Sequence, residues 1–145
     1  MNQHTIFVAE DDEDDQFLLR TAFASTGVAC DLVFFTNGEE LISQLATSQE
    51  RPTLVLLDLN MPIMDGFQTL VHLRNQEAYK TMPVLVLTTS SQREDVTRAY
   101  SLGANSFITK PHQYDDLTRT VQQLQQFWLL TASIPKPSKS KQPIA

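Results

Sequence analysis

Five polar residues carry the chemistry that this chain offers, and they stand where short apolar runs end. Glu10 and Asp11 follow the run 5–9, Asp58 follows 53–57, Thr88 follows 83–87, and Lys110 follows 106–109. Glu10 also opens six consecutive carboxylates, Glu10, Asp11, Asp12, Glu13, Asp14 and Asp15, the densest charge in the chain. Three carboxylates drawn within about 4 Å of one another repel by roughly 4 kcal/mol per pair at an effective dielectric of about 20, so their closeness calls for a compensating cation. Mg2+ is the natural choice, since it is hard, takes oxygen ligands in octahedral geometry and keeps waters or phosphate oxygens beside one or two carboxylates. Lys110 supplies a second positive charge. A carboxylate set of this kind, a lysine and a hydroxyl are together suited to holding a phosphoryl group, and a carboxylate is itself a competent nucleophile.

The elements that must position these residues follow from the apolar pattern. Runs at 5–9, 29–35, 53–57, 83–87 and 106–109 read as five strands. The third and fourth are apolar almost throughout, as expected of strands covered on both faces in a parallel sheet. Between them lie helix patterns. Asn37 with Glu40, and Ser91 with Glu94, set a capping side chain three residues before an acid and mark two helix starts. Leu117, Val121, Leu124 and Trp128 form one apolar stripe at helical spacing, which packs the last helix on the sheet. Five strands alternating with five helices imply an α/β domain with a doubly wound, flavodoxin-like parallel sheet in the order 2-1-3-4-5. In such sheets ligands bind beyond the C-terminal strand ends, where the five polar residues converge.

Composition bounds the alternatives. The chain has 145 residues, 41% hydrophobic and 19% charged, and reads as one globular domain over 1–130 followed by a mobile tail, 131–145, that holds three prolines and three lysines. Residues 1–130 carry 8 basic and 17 acidic side chains, a formal charge of −9, which argues against a nucleic-acid-binding surface. No apolar run approaches a membrane span and the N-terminus lacks a signal-peptide pattern, so the expectation is a cytoplasmic protein without membrane association. The single Cys30 reads as a buried small side chain, and His4, His72 and His112 lack metal-ligand spacing. Asp14 and Asp15 read as solvated acids at a helix start, and Asp65 and Gly66 as residues that shape the turn into the third helix.

The motifs VAEDD, LVLLDLNMPIMDG, VLVLTTS and GANSFITKP, in this order, resemble those of the receiver domain of two-component response regulators, over a span from about Thr5 to Trp128. The resemblance implies that Asp58 accepts a phosphoryl group from a sensor histidine kinase. It implies that Glu10, Asp11, Asp58 and the backbone carbonyl of Asn60 hold Mg2+, and that Thr88, Thr89 and Lys110 contact the phosphate. It also implies that Thr88 and Phe107 form a switch acting on the fourth helix, fifth strand and fifth helix. Glu10 stands where many members have aspartate, Thr89 is larger than the usual residue, and Phe107 lacks a hydroxyl. The segment 75–82, Glu10 and the FWLL ending are similar to the stand-alone regulators that serve phytochrome-type kinases. The expected function is that of a stand-alone regulator signalling by protein–protein interaction with a downstream protein target, with a homodimer as a further partner state. It is not an enzyme beyond self-catalysed phosphotransfer and autodephosphorylation.

Three other classes compete. A receiver-like docking module without phosphorylation would not need the full polar set. A haloacid-dehalogenase-type phosphatase wants a second aspartate two residues after the nucleophile, where this chain has Asn60. An FMN carrier of the same fold needs a hydroxyl- and glycine-rich phosphate loop after the first strand, where EDDEDD would repel a phosphate.

Overall fold

The computed structural model describes residues 4–49 and 51–135. It contains five parallel strands, β1 (Thr5–Ala9), β2 (Asp31–Phe35), β3 (Leu54–Leu57), β4 (Val84–Thr88) and β5 (Ser106–Thr109), in the order β2-β1-β3-β4-β5. Five α-helices alternate with them: α1 (Glu13–Ala24), α2 (Gly38–Thr47), α3 (Gly66–Arg74), α4 (Arg93–Ser101) and α5 (Tyr114–Gln125). A single 3-10 turn, Glu77–Tyr79, lies between α3 and β4, and α5 widens into a π-helical turn over Gln126–Thr131.

Alternation along the strands divides the core in two. Phe7, Val55, Leu57, Val84 and Val86 face Leu41, Leu45, Leu70, Leu73 and Ala99 of α2, α3 and α4. Ile6, Val8, Leu54, Leu56, Leu85 and Leu87 face Leu19, Phe23, Leu117, Val121 and Leu124 of α1 and α5. Every residue of β3 and β4 is buried, which is why β3 is wholly apolar and β4 is apolar up to its last residue, Thr88. The stripe on α5 packs as expected, with Trp128 partly buried at its end.

Two local expectations need correction. The second strand starts at Asp31 and not at 29, because Thr5, the first residue of β1, pairs with Asp31. Ser91 does not cap α4. The N-cap is Gln92, without a side-chain hydrogen bond. Ser90 ties the loop to the helix without capping it: its hydroxyl donates to Asp95 Oδ2 at 2.6 Å and accepts from the Gln92 N–H at 3.3 Å, while its carbonyl accepts from the Thr109 hydroxyl at 2.9 Å. Asn37 caps α2 as expected, accepting from the Glu40 N–H at 2.9 Å. The helical chain runs to Thr131, one residue into the segment read as a tail, and 136–145 lies outside the described residues. Among the described residues no helix is long and apolar enough to cross a membrane.

The register brings the strand ends level. Ala9 pairs with Leu57 and Phe35, Leu57 with Val86, and Thr88 with Thr109. The residues that follow therefore emerge on one edge of the sheet. Asp65 and Gly66 turn the chain into α3, as expected. Asp65 and Gln68 form a reciprocal capping box, and a Cβ on Gly66 would lie 2.3 Å from the Asp58 carbonyl oxygen and 2.7 Å from Leu59 Cα. Only glycine allows the backbone to pass so close behind Asp58.

Candidate functional site

At this edge Glu10, Asp11 and Asp58 bring one carboxylate oxygen each to within 4.8 Å of one another. Glu10 and Asp58 are buried and Asp11 is exposed, so the cluster is open on one side. At that separation an ionised pair repels by roughly 3 kcal/mol at an effective dielectric of about 20.

Each carboxylate is fixed by its surroundings. Glu10 Oε2 accepts from the Asp12 N–H at 3.1 Å, and its backbone carbonyl accepts from Gln16 Nε2 at 2.6 Å. Asp58 Oδ1 accepts from the N–H of Leu59 at 2.7 Å and of Asn60 at 3.4 Å. Its Oδ2 lies 3.3 Å from Lys110 Nζ. Lys110 also donates to Glu10 Oε1 and, at 3.0 Å, to Asp15 Oδ2. Its three ammonium donors are thus matched by three acids from two helix-proximal loops and α1.

The electrostatics follow. Burial pushes the Glu10 carboxyl up to about 7, against the lowering pull of Lys110's hydrogen bond and charge and with a further push from Asp58. Burial pulls the Lys110 ammonium down, but the hydrogen bond to Glu10 and the charges of Asp58 and Glu10 outweigh it and hold it above the ordinary lysine range. Four carboxyls against one ammonium leave a site that is short of positive charge. The donor set is all oxygen, partly desolvated and open on one side, which fits a small hard divalent cation.

The remaining residues singled out from the sequence fall around this centre. Thr88 is fully buried at the end of β4, where its hydroxyl accepts from the Ser90 N–H at 3.5 Å and its carbonyl from the Lys110 N–H at 2.7 Å. Thr89 and Asn60 are exposed in the loops beyond β4 and β3. Phe107 is partly buried against the core beneath α2, α3 and α4, and its N–H donates to the Tyr100 hydroxyl at 3.1 Å.

Asp15 is the residue that the sequence reading missed. Its assignment as a merely solvated helix-start acid is corrected by its contact with Lys110. The spacing carried little signal, because Asp15 lies in the first turn of α1 while Asp11 precedes its N-cap, Asp12, so no helix periodicity links the two.

Comparison with known proteins agrees with this geometry. Residues 6–122 match the response regulator receiver domain family. The response regulator Rcp1 of Synechocystis is 33% identical over 135 residues, covering 90% of this chain and 92% of Rcp1. The crystal structure of the phosphorylated cyanobacterial phytochrome response regulator RcpA superimposes with a TM-score of 0.86 at 34% identity, covering 92% of this chain and 99% of that one. The Mn2+-bound form of Rcp1 superimposes with a TM-score of 0.83 at 32% identity over the same shares. With its motifs in order, its sheet in the order 2-1-3-4-5 and its acidic cluster at the strand ends, the chain belongs to the response regulator receiver domain family.

Proposed function

We propose that this response regulator accepts a phosphoryl group on Asp58 from the phosphohistidine of a sensor histidine kinase, with Mg2+ held by Glu10, Asp11, Asp58 and the Asn60 carbonyl. The observation that carries the reading is the state of Asp58. Backbone N–H groups pin Oδ1, and Oδ2 faces an ammonium at the mouth of an acidic cluster. A carboxylate oxygen of Asp58 attacks phosphorus, the donor's P–N bond breaks with its electron pair staying on the imidazole, and that nitrogen takes up a proton. Lys110 and the Thr88 hydroxyl balance charge on the transferred oxygens, with Thr89 alongside them. Bound Mg2+ supplies the positive charge that the acids otherwise lack.

The chain acts as a switch, and its turnover is limited to gaining and losing its own phosphoryl group. The likeness to RcpA, a phytochrome response regulator, and to Rcp1 supports a phytochrome-type kinase as donor. The likeness of the Mn2+-bound form of Rcp1 supports a divalent cation at the cluster. The output is a protein–protein interaction through α4, β5 and α5, with a downstream protein target or a second copy of the chain. Incubation with acetyl phosphate, followed by intact-mass measurement, tests the reading. One phosphoryl group should be added with Mg2+ present and none once the metal is chelated. Equal labelling in both would overturn the metal assignment, and no labelling in either would overturn the phosphoacceptor reading.

A further inference from the structure

Lys110 is held by three carboxylates, and two of them, Glu10 and Asp58, also belong to the acidic cluster suited to a cation. The third does not. Asp15 reaches Nζ from the first turn of α1, with Oδ2 at 3.0 Å, and lies outside the Glu10–Asp11–Asp58 set. A small divalent cation needs oxygens of the same carboxylates and repels an ammonium placed on them. Lys110 must then loosen its hold on Glu10 and Asp58. Its side chain is only 10% exposed, so water cannot freely replace the acceptors that it gives up. Asp15 is the acceptor that stays. It is 34% exposed, and a cavity of about 40 Å3 lined by Asp15, Leu18, Leu19, Lys110, Pro111 and Leu117 leaves room beside the pair for the lysine to shift.

We propose that Asp15 is a positioning residue, the seat on which the Lys110 ammonium rests while a divalent cation occupies Glu10, Asp11 and Asp58. The proposal deepens the functional reading above and rests on its metal site. Asp15 draws the ammonium off Asp58 Oδ2 and keeps it within reach of a phosphoryl group arriving there. Without Asp15, Lys110 stays on Glu10 and Asp58 and competes with the cation for them.

Calorimetric Mg2+ titration of the full chain tests this. Asp15→Asn should weaken Mg2+ binding by about fivefold or more, through both the competition and the lost charge. Asp14→Asn removes the same charge from an exposed neighbour and should change binding by less than about twofold. Asp15→Glu, which restores the carboxylate, should recover most of the loss. A second readout needs no substitution: in side-chain NMR, Mg2+ should shift the Lys110 Nζ resonance of the unsubstituted protein and leave it protected from exchange. In Asp15→Asn, Mg2+ raised to saturation displaces the ammonium from Glu10 and Asp58 with no seat left for it, and that resonance should then vanish through exchange with water. Equal losses in Asp14→Asn and Asp15→Asn, or a Lys110 resonance that Mg2+ exposes in the unsubstituted protein, would overturn the proposal alone. Absence of Mg2+ binding in the unsubstituted protein would overturn the metal reading and the proposal with it.

Discussion

Glu10 concentrates the conflict on which the site is built. It is buried, faces Asp58, and is compensated by one shared lysine. Its carboxyl, raised from 4.5 to about 7, holds in the metal-free fold a proton that the unfolded chain releases earlier. The stability that it contributes is therefore fully present below about pH 4.5 and lost as the pH rises through about 7. In chelator, urea denaturation should show stability falling across that window, and Glu10→Gln should flatten the fall. Parallel curves for the two proteins would contradict the assignment. Lys110, whose raised value lies in the alkaline range, leaves this window untouched. Glu10, Asp11, Asp58, Thr88 and Lys110 could be read from the sequence because each stands at the end of an apolar run, so topology alone gathers them. Asp15 could not be read that way. Its role depends on how far α1 rotates its first turn toward Lys110, which packing decides.

Among the elements, the strands were the clearest to read, since burial on both faces leaves β3 wholly apolar and β4 apolar up to its last residue, Thr88. The α4 start was not. Ser91 and Glu94 have capping spacing, yet α4 starts at Gln92 without a side-chain cap, and Ser90, its carbonyl bonded to Thr109 distant in sequence, is the serine that reaches the helix through Asp95. Tertiary contacts of that kind leave no local trace. The loop between β3 and α3 holds a second departure from local preference. Ile63 has φ 67° and is 74% exposed. A β-branched residue pays about 1–2 kcal/mol in the left-handed region, which asparagine tolerates better. Ile63→Asn should therefore stabilise the fold by about 1 kcal/mol, read as a raised Tm in thermal denaturation. An unchanged or lowered Tm would show that the loop relaxes the strain by other means.

At the scale of the molecule, the proposed switch would couple the acidic edge to the face formed by α4, β5 and α5. Thr88 sits between the two, buried at the end of β4, with its carbonyl bonded to the Lys110 N–H and its partner Thr109 bonded to the Ser90 loop. On the same face of β5, two residues before Thr109, Phe107 is tied to the half-exposed Tyr100 of α4. A phosphate can shift this arrangement only by binding its two states unequally, and the Thr88 hydroxyl is the group that can favour one of them. A stable phosphate mimic with Mg2+ should alter amide hydrogen exchange across residues 96–125, and Thr88→Ala should reduce that change while leaving Asp58 able to accept a phosphoryl group. Equal exchange with and without the mimic in the unsubstituted protein would contradict the coupling.

The phosphoryl-dependent part of this account rests on one residue being the acceptor. Intact-mass measurement of the unsubstituted chain and of Asp58→Asn, each incubated with acetyl phosphate and Mg2+, decides the matter. The unsubstituted chain should gain a single phosphoryl group, lost on treatment with hydroxylamine as an acyl phosphate must be, and Asp58→Asn should gain none. Stoichiometric labelling of Asp58→Asn would contradict the assignment of Asp58 as the acceptor.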